Sequence, residues 1–478
     1  MYDVTEKGIL ELQAAMEAGE TTSAELVISY MNRMKEINLS GPALNAILEF
    51  NVEAVTIAMA MDRERKLKGK RSNLHGIPVL IKGNIGTGDQ MHTSAGSRAL
   101  KDHYAPEDAH LVKKLREAGA VIMGKANLTE MAKFFAVDIK NGYSSWGGQV
   151  INPYDADWDA SGSSTGSAVA VAASLCAAAV GTETCGSILS PSWRNGIVGL
   201  KPTVGLISRG GIVPLASSQD TAGPMGRTVE DVAVLLGGLV GEDKEDPATW
   251  YRDDHREKDY TKYLNVDGLS GMRIGVNRAV LDGLSEEEQN LFENAVNVLQ
   301  KKGAVLVQDT NIDRFSGGYR LMKYEFKANL NHYLAKNAGN GIVKTLGEFI
   351  KYNEDHQELC LKYGQDNLQN AEFGTSGRLI EEEYLEEKMK CHKLRDVVEE
   401  VFAEHDLEVM VFPGVMDLPA VTNFPGMIVP AGYTSEGKPF GITFMALEGE
   451  EGKLISAGYS YEQATKLRHE PTLFVIKK

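Results

Sequence analysis

Between Ser161 and Ser187 the chain reads SGSSTGS, then a run of small apolar residues, AVAVAASLCAAAV, then GTETCGS. No other stretch limits the possible folds so strongly. Side chains this small let backbones approach closely, so the run belongs in a packed interior. From Ala168 to Gly181 it falls short of the ~20 residues a membrane-spanning helix needs. It reads as a buried hydrophobic connector between two turns rich in hydroxyls and glycine. Each turn offers serines in a setting where backbone N–H groups can converge.

What precedes it reads as an α/β chain. Val4, Ile9, Leu12 and Met16 fall near one helical face within 4–18, and Thr22-x-x-Glu25 is a capping-box signal for a second helix. A third helix is expected through VEAVTIAMAMDRERKLKG. The run VLI after His75-Gly76-Ile77-Pro78 is a short buried strand ending in Lys82, and LVKKLREAG followed by AVIMGK is a helix and a strand. Residues 142–160 carry Gly, Pro, Asn and Asp throughout and read as a long loop. Downstream, ISRGGIVPLASSQDTAGPM reads as another Gly/Pro-rich loop, and Thr228 caps the helix VAVLLGGLVG. The charged segment 243–262 is a soft boundary. Beyond it come the strands MRIGV and AVLVQ, long charged helices, the strands LEVMVFP, GMIVPAG and GKPFGITFMAL, and a closing helix.

Three readings compete for the hydroxyl-rich stretch. A phosphate loop fits poorly, because GSSTGS lacks the Gly-Lys-Ser/Thr ending and has no lysine near it. A nucleophile elbow fits Gly162-Ser163-Ser164-Thr165-Gly166 as G-x-S-x-G, with Ser164 as nucleophile and a late histidine such as His469 as base. That motif needs a buried strand just before it, and NPYDADWDAS is loop chemistry instead. The third reading is a serine hydrolase with a lysine base.

Here the chain resembles the amidase signature family. The resemblance rests on GIPVLIKGN (76–84), HTSAGSRAL (92–100), GKANLTE (124–130), NPYD…GSSTGSAVAVAA (152–173), GTETCGSI (181–188) and GIVGLKPTVGLISRGGIVPLASSQDTAGPMGRTVEDVA (196–233), with VPAG, FGITF and YEQAT near the end. GTET, GLISRGGIVP and YEFKANLNHYL (324–334) point to its peptide-amidase-like branch. The resemblance implies one α/β amidase domain over 1–478, a large twisted mixed β-sheet covered by helices on both faces. N-terminal helices would occupy 1–70, a catalytic core 71–240 and 405–478, and a more helical segment 263–404. It places the family's strand-end lysine on Lys82, its cis-peptide serine on Ser163 and its nucleophilic serine on Ser187, 24 positions apart in sequence. It places the oxyanion hole on Thr184, Cys185, Gly186 and Ser187, with Ser164 in support. Gly83, Thr165, Cys185 and Leu189 depart from the residues usual in the family, and Trp193-Arg194 occupies a usually small, apolar patch.

The chemistry is coherent. Serine attacks only once a base takes its proton, and lysine serves as base only when neutral. Lowering a lysine pKa from about 10.4 to about 7–8 takes roughly 3–5 kcal/mol of cation destabilisation, which a buried strand end supplies. Ser163 would pass the proton between Lys82 and Ser187. Met131, Phe134 and Phe135 are candidate substrate-pocket residues, Cys185 is read through its backbone N–H, and Asp220 either braces a loop or makes a turn.

The expected activity is hydrolysis of a linear carboxamide, peptide amide or anilide, extending to carbamates or esters. A catalytically impaired binding protein or an amidotransferase subunit on the same fold stays open as an alternative. A formal charge of −16 without a Lys/Arg-rich block argues against nucleic acid as a partner. Cys176, Cys185, Cys360 and Cys391 form no CxxC pair, so neither metal nor cofactor is expected. The acidic N-terminus has no signal-peptide pattern, which leaves the cytoplasm as the expected location, with no membrane partner.

Overall fold

The apolar run that ends in Lys82 is a strand, Pro78–Lys82, and all five of its residues are buried. Burial on both faces belongs to a central strand with parallel neighbours, and the sheet puts it there. The computed structural model describes residues 1–250, 256–315, 317–337, 341 and 343–473. Its strands in chain order are β1 Ile47–Phe50, β2 Pro78–Lys82, β3 Val121–Ala126, β4 Tyr143–Ser144, β5 Gly148–Gln149, β6 Ala178–Glu183, β7 Val198–Lys201, β8 Thr221–Gly226, β9 Arg273–Val276, β10 Val305–Val307, β11 Val409–Pro413, β12 Gly426–Tyr433 and β13 Pro439–Met445. Eleven of them form one mixed sheet in the order β1-β3-β2-β6-β8-β7-β12-β13-β11-β9-β10. The remaining two, β4 and β5, make a small hairpin within the 142–160 loop.

The buried connector turns out to be two elements. Thr165–Ala172 is a helix buried at every residue, and Ala178–Glu183 is a strand, β6, running parallel to β2. Their smallness has a direct use. A side chain on Gly166 would run into the carbonyls of Asn127 and Ala46, at 2.3 and 2.4 Å from an added Cβ. The Gly/Pro-rich loop read after residue 206 also needs correction. Its last part, Thr221–Gly226, is the buried strand β8, antiparallel to both β6 and β7. Glycine is required there, since a Cβ on Gly223 would lie 2.2 Å from the Leu200 carbonyl oxygen.

The helices follow their sequence signals. Thr22 caps Ser23–Arg33 with the full reciprocal box, and Val4, Ile9, Leu12 and Met16 are all buried beside it. Thr228 accepts from Asp231 N–H at the head of Val229–Gly237. Ser285 and Glu288 form a second capping box on Glu286–Lys301. The soft boundary at 243–262 includes 251–255, which lie outside the described residues. A separate apolar cluster joins Met131, Phe134 and Phe135 to Phe326, Leu330 and Phe349 of the later helices. Cys185, in the turn after β6, packs against the same cluster.

Candidate active site

Strand β2 ends at Lys82, whose side chain is fully buried. Its Nζ donates to Ser163 Oγ at 2.7 Å, Thr182 Oγ1 at 2.9 Å and the Thr182 carbonyl at 3.1 Å. Three acceptors match the three donors of an ammonium. Burial lowers the pKa to about 7, against the opposing pull of the Glu183 and Asp220 carboxylates.

Ser163 is equally buried, and the Gly162–Ser163 peptide bond is cis. No side chain fits on Gly162, where a Cβ would sit 2.4 Å from Thr129 Oγ1. Ser163 is held through its own backbone by the Thr129 N–H at 3.0 Å. Ser164 Oγ donates to the Thr182 carbonyl at 2.9 Å and accepts from the Thr182 N–H at 3.1 Å. It thus clamps the same residue that grips Lys82. The Ser164 N–H donates to the Ser187 carbonyl at 3.2 Å, which ties the two turns together. Among the described residues no hydrogen bond joins the hydroxyls of Ser163 and Ser187.

The second turn leaves β6 at Glu183. Gly186 takes a φ of +80°, the left-handed region that favours glycine. The Glu183 carboxylate accepts the N–H groups of Ile188 at 2.7 Å and Leu189 at 3.0 Å. Those donors are thereby consumed, and among the described residues the N–H groups of Cys185, Gly186 and Ser187 donate to no protein acceptor. Thr184 Oγ1 donates to Asp220 Oδ1 at 2.6 Å, and Asp220 Oδ2 accepts the Leu215 and Ala216 N–H groups at 2.7 and 3.0 Å. Asp220 is therefore a brace for this turn. Burial pushes its pKa up to about 6. Burial also pushes the Cys185 thiol well above its ordinary value, which suppresses the thiolate.

Ser187 is 9 % exposed and borders a cleft of about 670 Å³. Thr184, Cys185 and Gly186 line the same cleft, with Phe134, Trp193 and Arg194 on its flanks and Tyr319, Met322 and Asp417 across it. Of the three pocket residues expected from sequence, Phe134 reaches the cleft. Met131 and Phe135 lie in the apolar cluster behind it.

The model of the Amidase family matches residues 25–423. The chain belongs to the amidase family. This amidase is similar to a probable amidase of Arabidopsis thaliana, 39 % identical over 98 % of this chain and 92 % of that one. It is similar in structure to the native peptide amidase of Stenotrophomonas maltophilia, with a TM-score of 0.92, 39 % identity and coverage of 98 and 99 % of the two chains. It is also 34 % identical to a glutamyl-tRNA(Gln) amidotransferase component of Halorhodospira halophila, over 96 % of this chain and 97 % of that one.

Within the amidase, the elbow alternative finds no geometry to support it. Ser164 is fully buried with its hydroxyl committed to Thr182, and the His469 ring stacks on Tyr433 at 3.7 Å. Two departures from the family pattern have a local reason. A side chain on Gly83 would meet Leu48 Cδ2 at 2.8 Å, and Thr165 Oγ1 donates to the Ser161 carbonyl at 2.7 Å. Sequence reasoning missed Thr182 and Glu183 as partners of the site. Their position at the end of a strand pointing at the glycine turn is the signal that could have found them. Among the described residues no cluster of His, Cys, Asp or Glu could hold a metal ion, and no helix is long and apolar enough to cross a membrane.

Proposed function

We propose that this amidase hydrolyses a linear carboxamide, peptide amide or anilide through an acyl-enzyme on Ser187, with Lys82 as base and Ser163 as relay. The observation that carries this reading is the 2.7 Å contact between Lys82 Nζ and Ser163 Oγ, made by a fully buried lysine whose pKa has fallen to about 7. A neutral amine has two donors and one lone pair, so one of its three contacts must reverse. Ser163 then donates its proton to Lys82 as it takes the proton of Ser187 Oγ. Ser187 Oγ bonds to the substrate carbonyl carbon, and the oxyanion forms opposite the free N–H groups of residues 185–187, each such donor worth about 3 kcal/mol. Collapse breaks the C–N bond, and the proton returns through Ser163 to the leaving amine. Water then releases the acid by the same route. The hydroxyls of Ser163 and Ser187 close to hydrogen-bonding distance when substrate fills the site, as catalytic contacts commonly do.

The test is pre-steady-state acylation with an activated anilide. Ser187→Ala is expected to abolish the burst, and Lys82→Ala to slow it by at least about 10³-fold. Because Lys82 must be neutral, kcat/KM rises with pH and levels off above about 7. A burst that survives in Ser187→Ala, or an unchanged pH break in Lys82→Ala, overturns the assignment.

A further inference from the structure

The chain carries a formal charge of −16, yet the cleft is lined by three cations, Lys133, Arg194 and Arg314, against two carboxylates, Asp159 and Asp417. Both carboxylates are engaged. Asp159 accepts from Asn141 Nδ2 and the Ser161 N–H, each at 2.8 Å. Asp417 accepts the Phe315 N–H at 3.3 Å, and burial raises its pKa. The cations are not engaged in the same way. Arg194 makes no side-chain hydrogen bond among the described residues. Of its two carboxylate neighbours, Asp159 acts only at a distance, and Glu288 stands 3.9 Å away and spends its other oxygen on the Ser285 cap.

The Arg194 guanidinium lies over the Trp193 ring, 3.8 Å from its centroid. That ring is itself fixed, edge-on to Phe440 at 6.3 Å and pressed against Gly414, where an added Cβ would be 2.7 Å from it. The arginine is thus a stacked cation with its planar donor fork unspent, and partial burial disfavours its charge. A fork of this kind suits a carboxylate, which it can bind with two parallel hydrogen bonds. The helix Leu189–Arg194 starts two residues after Ser187, with Ile188 as its N-cap. At 1.5 Å rise per residue, Arg194 stands on the order of 10 Å from Ser187, backbone to backbone.

We propose that Arg194, carried on the Trp193 ring, receives a carboxylate at the far end of the acyl part of the substrate, so that the preferred substrates are amides of acids with a second, remote acidic group. This rests on the reading of Ser187 as nucleophile.

The experiment uses straight-chain primary amides of graded length, each in a form ending in carboxylate and a form ending in methyl, with ammonia release as the readout. The intact enzyme is expected to favour the carboxylate form at one chain length by at least about tenfold in kcat/KM, chiefly through KM. Arg194→Met should collapse that ratio by about ten- to hundredfold, and Arg194→Lys should restore part of it. Calorimetric binding of the same amides to Ser187→Ala, with and without Arg194→Met, reads recognition apart from chemistry. A wild-type enzyme that does not prefer the carboxylate form overturns the proposal. So does an Arg194→Met variant that weakens both forms equally. Turnover that persists in Ser187→Ala overturns the nucleophile instead, and leaves the binding result to judge Arg194.

Discussion

Gly186 shows how much of the site turns on single residues. Its φ of +80° is the left-handed region, yet an added Cβ would meet nothing closer than Val415 Cγ1 at 3.8 Å. The constraint is therefore backbone conformation, not space. Gly186→Ala is expected to cost about 1–2 kcal/mol of stability, measured by urea unfolding. It should reduce acylation more than that loss suggests, because the N–H groups of 185–187 turn with it. The family resemblance singled out Lys82, Ser163 and Ser187, on which the proposed mechanism rests, and the strand-end position of Lys82 gave its pKa shift a physical cause. Thr182 and Glu183 were not legible. Thr182 grips a lysine a hundred positions earlier in the chain, and Glu183 satisfies N–H groups whose need exists only once the Gly186 turn has formed. Neither contact leaves a local pattern. Met131 and Phe135 show the converse limit: an apolar residue beside a site reads the same whether it faces a cleft or the core behind it.

Among the elements, the capped helices announced their starts, and the central strands β6 and β8 did not. A cap is a local hydrogen bond between residues three apart, so Thr22 and Thr228 could be read directly. Thr22→Ala is expected to lower stability by about 1 kcal/mol through loss of that bond, seen as a reduced midpoint in chemical unfolding at unchanged slope. Strand β6 is hidden in an alanine-rich run whose local preference is helical, and β8 contains a proline and two glycines. Tertiary packing decides both. The backbones of β6, β7 and β8 approach so closely that larger residues with better strand preference would not fit. Two strands beside the proposed site thus look little like strands in sequence, whereas β2, which carries Lys82, reads plainly as one.

For the molecule as a whole, three fully buried lysines set a pH dependence of stability. Lys82, Lys125 and Lys201 have pKa values lowered by burial to about 7, 7 and 8. Lys201 is the clean probe, because its Nζ donates to the Pro202 and Phe424 carbonyls, away from the cleft. A depressed folded-state pKa contributes stability that is present above the unfolded value and lost as pH falls through the folded one. Between about pH 8 and 10.5 the wild-type protein should therefore gain on Lys201→Met by about 1.4 kcal/mol per unit, with no further change below 8. Urea unfolding of both proteins across that range checks it. The walls of the cleft carry a different consequence. Lys82, Ser163 and Ser187 all precede residue 190, whereas Gly283, Leu284, Arg314, Tyr319, Met322 and Val415–Asp417 face them from the later part of the chain. One wall of the cleft is in this way written in a separate length of sequence from the proposed reactive groups, while Phe134, Trp193 and Arg194 keep the other wall beside them. A lineage can redraft the later length to admit new molecules while inheriting the earlier one intact, and a chimera carrying a relative's facing wall would keep the proposed nucleophile and change part of its diet.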